Sequence, residues 1–92
     1  MKVEVNGNII NIKSPIITIS DVEQIIDILH SKENEAKIIL NINSFSLPSS
    51  IIGELIKLTD KNVDIAINVK DETLYELLEA LKLKQKFKIR KV

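Results

Sequence analysis

Residues 36–69 read AKIILNINSFSLPSSIIGELIKLTDKNVDIAINV, an apolar run, a polar loop, an amphipathic stretch and a second apolar run. In the first run Ile38, Leu40 and Ile42 alternate with Lys37, Ile39 and Asn41, the period of a strand with one greasier face. In the last, Val63, Ile65, Ile67 and Val69 alternate with Asp64, Ala66 and Asn68, the cleanest strand pattern in the chain. Between them Ile52, Leu55, Ile56 and Thr59 recur at helical spacing and stop before Asp60-Lys61-Asn62. Pro48 suits the first turn of that helix, where a missing amide hydrogen has no partner to lose. A strand, a helix and a strand in succession predict a right-handed crossover between parallel strands.

The pattern extends in both directions. Upstream, Val3 and Val5, then Ile10 and Ile12, alternate with polar neighbours on either side of Asn6-Gly7, whose residues supply the positive φ angles of a hairpin turn. Ser14-Pro15 breaks this pattern, and Ile16 to Ile19 reads as a short β-branched stretch. Ser20-Asp21-Val22-Glu23 matches a capping box, after which Val22, Ile25, Ile26 and Leu29 form one helical stripe ending near Ser31–Glu35. Downstream, Asp71 is placed to cap a third helix whose stripe is Leu74, Leu77, Leu78 and Leu81. Phe87 and Ile89, set between Lys86, Lys88 and Arg90, read as a last strand.

The expected fold is therefore α/β, a single domain over 1–92 with an N-terminal β-hairpin and a mostly parallel sheet. Strands buried on both faces would be continuously apolar. These mostly alternate, and each helix has one apolar stripe, so two layers are expected, with the helices on one face and a more polar face opposite. A chain of 92 residues, 45% hydrophobic and 28% charged, has the composition of one folded core.

Composition also narrows the function. Cysteine is absent, which leaves no thiolate ligand, nucleophile or disulfide. The opening Met1–Gly7 has no signal-like apolar region and no apolar run reaches the roughly 20 residues of a membrane span, so a cytoplasmic location without membrane insertion is expected. Formal net charge is zero. From Lys82 onward, however, every charged side chain is basic: Lys82, Lys84, Lys86, Lys88, Arg90 and Lys91.

From Lys37 to Ile89 the chain resembles the STAS domain, the family of bacterial anti-sigma-factor antagonists and sulphate-transporter domains. The residues that carry the likeness are the strand Ile38–Ile42, the Phe-containing loop, Leu47-Pro48-Ser49-Ser50-Ile51-Ile52-Gly53 opening a helix, the strand Val63–Val69, and the run Leu81–Ile89. In such antagonists the loop before the second helix reads apolar-Asp-Ser-Ser/Ala-Gly-apolar-Gly, and a partner kinase phosphorylates its first serine. By position Ser49 matches that serine, Ser50 the next residue and Gly53 the second glycine. Pro48 stands where the family has Asp, and Ile51 where it has the first Gly. The resemblance implies a two-layer (βα) STAS-like superhelix acting as a protein–protein interaction module in partner switching. It implies Ser49 as the phosphorylation site, and a partner-binding surface of Phe45, Leu47, Ser49, Ser50, Ile51 and Gly53. The implied partner is a switch kinase or anti-sigma factor; the alternative is a non-phosphorylated accessory subunit docking on a transport ATPase.

The residues by themselves carry part of this. A helix N-terminus offers free amides and partial positive charge to a phosphate on Ser49. That phosphate would add about −1.5 to −2 charges beside Leu47 and Ile51, read as exposed, and so break an apolar interface. The competing reading is that Ser46, Ser49 and Ser50 only satisfy amides at the helix start. Phe45 is either the aromatic anchor of the interface or a plug folded onto the core. His30 is a helix-end histidine with no visible catalytic partner, and Glu23/Asp27, Glu33/Glu35 and Glu76/Glu79 fall on polar faces or in a loop. No phosphate loop, zinc-protease or calcium motif is present, so neither an enzyme nor a cofactor is expected. The basic run Lys82–Lys91 either binds an anion or nucleic acid, or guards an outer strand against edge pairing. The second reading is preferred, since the only ring within the run, Phe87, is assigned to the core.

Overall fold

The computed structural model describes residues 2–92. Strands β1 (Val3–Asn6) and β2 (Ile9–Ile12) are followed by helix α1 (Ile19–His30), β3 (Lys37–Ile42), α2 (Ser49–Asp60), β4 (Asp64–Val69), α3 (Glu72–Ala80) and β5 (Lys88–Lys91). A single 3-10 turn, Leu83–Gln85, precedes β5. The five strands form one sheet in the order β1-β2-β3-β4-β5, with β1 antiparallel to β2 and the remaining pairs parallel. Every crossover steps to the next strand in the same direction. Right-handed connections that never reverse direction put all their helices on one side, so the architecture has two layers.

The side facing the helices is the core. Ile10, Ile12, Ile38, Leu40, Ile42, Ile65, Ile67, Val69 and Ile89 are buried there beneath Ile25, Leu29, Ile51, Leu55, Leu58, Leu74 and Leu78. Each such side chain withdrawn from water contributes about 1.5–3 kcal/mol. On the opposite face the intervening residues are half-buried or exposed, and the register sets Asn11 beside Asn41 and Asn41 beside Asn68. The Asn41 amide donates to Asn11 Oδ1 at 2.7 Å, and that of Asn68 to Asn41 Oδ1 at 2.8 Å.

Several expectations are corrected. The β-branched stretch Ile16–Ile19 forms no strand: Ile16 is buried, Ile17 and Ile19 are exposed, and the helix already begins at Ile19. The capping box lies two residues earlier than Ser20/Glu23. Thr18 Oγ1 accepts from the Asp21 amide at 3.1 Å while the Asp21 carboxylate accepts from the amides of Thr18 and Ile17 at 3.0 Å. Aspartate is one methylene shorter than glutamate, yet at this third helical position it reaches both amides. The hairpin turn falls on Gly7-Asn8, with the positive φ, 61°, at Gly7 alone. Leu77 and Leu81 are exposed, because α3 buries only Leu74 and Leu78 and ends at Ala80. Pro48 sits one position before the first helical residue. The Asp71 cap is present, accepting from the Leu74 amide at 2.8 Å.

Thr18→Ala is accordingly expected to destabilise the protein by about 1 kcal/mol, and Ser20→Ala by a few tenths at most. Urea unfolding of the two variants checks this; equal midpoints would put the cap elsewhere.

Candidate functional site

Because β2 to β5 run parallel, their carboxyl ends lie along one edge of the sheet, and α1, α2 and α3 all begin there. The segment Asn43–Pro48 links β3 to α2 across this edge and is pinned from beneath. Ser44, the one buried polar side chain among the described residues, accepts from the Ile16 amide at 3.2 Å and donates to the Ser46 carbonyl at 2.9 Å. Ser46 Oγ in turn donates to the Ile16 carbonyl at 3.2 Å. This pair of serines staples the β3–α2 loop to the segment before α1. Ile16 and Leu47 are turned into the core, and their neighbours are turned out: Ile17 is 73%, Ile19 79% and Phe45 61% exposed.

The expected surface is thus present in part and differs in composition. Phe45 projects outward, which decides against the plug. Ser49 and Ser50 are exposed, and neither hydroxyl makes a hydrogen bond to another described residue. Leu47 and Ile51, expected at the surface, are 6% and 0% exposed, so neither side chain can touch a partner. For Ile51 the cause is a shift of the α2 stripe, whose buried line is Ile51, Leu55 and Leu58, with Ile52 and Ile56 packed half-buried beside it. Gly53 is half-buried, and a Cβ there would meet nothing within 4 Å. Packing does not require this glycine, although in a helix interior it costs about 1 kcal/mol relative to alanine.

The three helix starts also differ. Thr18 caps α1 and Asp71 caps α3, and each helix has an acid in its first turn, Asp21 and Glu72. The start of α2 has neither a side-chain cap nor an acid. Ser46, Ser49 and Ser50 therefore do not serve its amides. The sequence reading missed Ser44, Ile17 and Ile19; the alternation of inward Ile16 and outward Ile17 is legible only once the staple is known.

The remaining candidates lie elsewhere. His30 Nε2 contacts Glu54 Oε2 at 2.9 Å, tying the end of α1 to α2, and no hydrogen bond joins it to Ser49. Glu33 pairs with Lys61 at 2.8 Å and Glu79 with Lys84 at 3.1 Å. Among the described residues no cluster of three or more His, Asp or Glu could hold a metal ion, and no helix is long and apolar enough to cross a membrane. In the basic run, Lys84 also donates to the Tyr75 hydroxyl at 2.7 Å, and Lys88 pairs with Asp64 at 3.2 Å.

The Glu54 carboxyl is held below the usual glutamate range, chiefly by its hydrogen bond to His30 and further by Lys57. A carboxyl that is more acidic when folded contributes stability above the unfolded-state value, about 4.3, and loses it as pH falls through the depressed folded value. Glu54→Gln is therefore expected to flatten the loss of stability below about pH 4.3. Thermal melts across acidic pH measure it, and parallel profiles for both proteins would refute it.

Comparison with known protein families, with curated proteins and with solved structures finds no match to this chain.

Proposed function

We propose that this chain is a protein-binding regulatory module of the STAS type, engaging its partner through the carboxyl edge of the sheet. The observation that carries the reading is the exposure of Ile17, Ile19 and Phe45 on two segments stapled together at the sheet edge where α2 begins with the unpartnered hydroxyls of Ser49 and Ser50. Aromatic side chains such as Phe are enriched at the cores of protein interfaces. The glycine at position 53 leaves room for a partner's backbone to approach α2.

Ser49 is the switch in this reading. The start of α2 has free amides and no resident carboxylate, so a phosphate on Ser49 is stabilised there by the helix dipole. The same charge disfavours docking of an apolar partner. The test uses a switch kinase encoded beside this gene. Transfer of labelled phosphate is expected to wild type and to Ser50→Ala, and to be lost in Ser49→Ala. Equal labelling of Ser49→Ala would end the phosphorylation part.

A constitutive accessory subunit of a transport ATPase is the second reading. It is favoured by Pro48 and Ile51, which stand where kinase-read relatives have Asp and Gly. Ser49→Asp separates the two: it should release a switching partner and leave a permanent one bound.

A further inference from the structure

Beyond this edge, the helix-free face of the sheet carries a net positive charge. The chain is neutral, with thirteen basic and thirteen acidic side chains. The strand registers and the depressions on that face place five of the basic ones there, Lys13, Lys37, Lys70, Lys88 and Arg90, against only Glu4 and Asp64. Both acids are already taken, Glu4 by Lys13 at 2.6 Å and Asp64 by Lys88 at 3.2 Å. Lys37, Lys70 and Arg90 have no ion-pair partner among the described residues. The rest of the chain carries the matching acidic excess, so the molecule is polarised across its thickness.

Two shallow depressions adjoin at Asn68, one of about 540 Å³ reaching Lys70 and one of about 220 Å³ reaching Lys37 and Arg90. Their floor has two parallel rows. One is the amide ladder Asn11–Asn41–Asn68. The other is Ile39–Ala66, half-buried below the exposed cations and continued outside the depressions by Ile9, the register partner of Ile39.

We propose that this face is a docking site for an acidic peptide segment of a partner protein. Each ladder amide keeps a second N–H and a second lone pair, so the row both donates and accepts, as a peptide backbone does. A phosphodiester backbone only accepts, and no aromatic side chain lies on these rows to stack a base. The apolar row sits lower than the lysines, within reach of a narrow segment but not of a flat bilayer. The three uncompensated cations select carboxylates.

The probe is a fluorescein-labelled soluble peptide of Glu, Gly and Leu, titrated with the full chain and followed by anisotropy. Saturable binding that weakens with added salt is expected. Lys37→Glu and Arg90→Glu should each weaken it by roughly tenfold, by removing one exposed attraction and adding a repulsion. Lys57→Glu, the same charge change on the helix layer, should leave it unaltered. So should Phe45→Ala, which separates this face from the edge proposed above. The proposal fails if binding does not saturate, or if Lys57→Glu weakens it as much. It fails equally if single-stranded DNA or anionic phospholipid vesicles bind better than the peptide. Self-association at low salt that is abolished by Arg90→Glu would also overturn it, making the acidic helix layer of a second copy the occupant.

Discussion

Replacing Ile51 with alanine is expected to destabilise the protein by about 2–5 kcal/mol, a large part of the 5–15 kcal/mol typical of a small domain. Ile51 is fully buried between the sheet and the rest of the α2 stripe, so truncation leaves a cavity that rigid neighbours can only partly fill. In urea the midpoint should fall by about 1–3 M with an unchanged slope. The comparison that gives the result meaning is Phe45→Ala, an aromatic of greater volume six residues away. Phe45 is 61% exposed, and its removal should alter stability by no more than about 0.5 kcal/mol. If Phe45→Ala proved as damaging as Ile51→Ala, the loop would be folded onto the core, and the edge would lose its anchor.

Binding should show the opposite order. With a partner seated on the carboxyl edge, Phe45→Ala is expected to weaken the complex by about 30-fold, the effect of losing a hot-spot side chain worth about 2 kcal/mol. Most of that loss should appear as faster dissociation. Ile17→Ala and Ile19→Ala, exposed on the same edge, should have smaller effects in the same direction. Titration of the neighbouring-gene kinase or anti-sigma factor measures this. Undiminished affinity in Phe45→Ala would remove the observation on which the proposed function rests. Leu47 belongs with Ile51 in this comparison, since its side chain is buried and can influence a partner only by holding the loop in place.

Much of the fold was legible because its signals are local. The alternation in β3 and β4 and the Asp71 cap need only a few neighbouring residues to be read, and each stands where it was expected. The errors were of another kind. Thr18 and Ser20 are both acceptable caps, and only the geometry of Asp21 with the Thr18 and Ile17 amides chooses between them. In α2, Ile51 and Ile52 are equally apolar, and the choice of which faces the sheet rotates the stripe by one residue. That single step turned Ile51 from an expected contact into core. Leu77 and Leu81 fit a helical stripe, yet a helix at the border of a five-stranded sheet has less surface to pack against.

Local spacing alone determined that this chain forms strands and amphipathic helices in alternation, with one buried face on each strand from β2 to β5. It also put the start of the second helix at Pro48, one residue before the first helical position. Tertiary structure decided which side chains meet or remain free. Ser44 reaches Ile16 across 28 residues, and Asn11 and Asn41 across 30. Such contacts depend on strand order and register, which hydrophobic period does not encode. The outward turn of Ile17, Ile19 and Phe45, and the gathering of unpaired cations on one face of a neutral chain, exist only once those distant segments are joined.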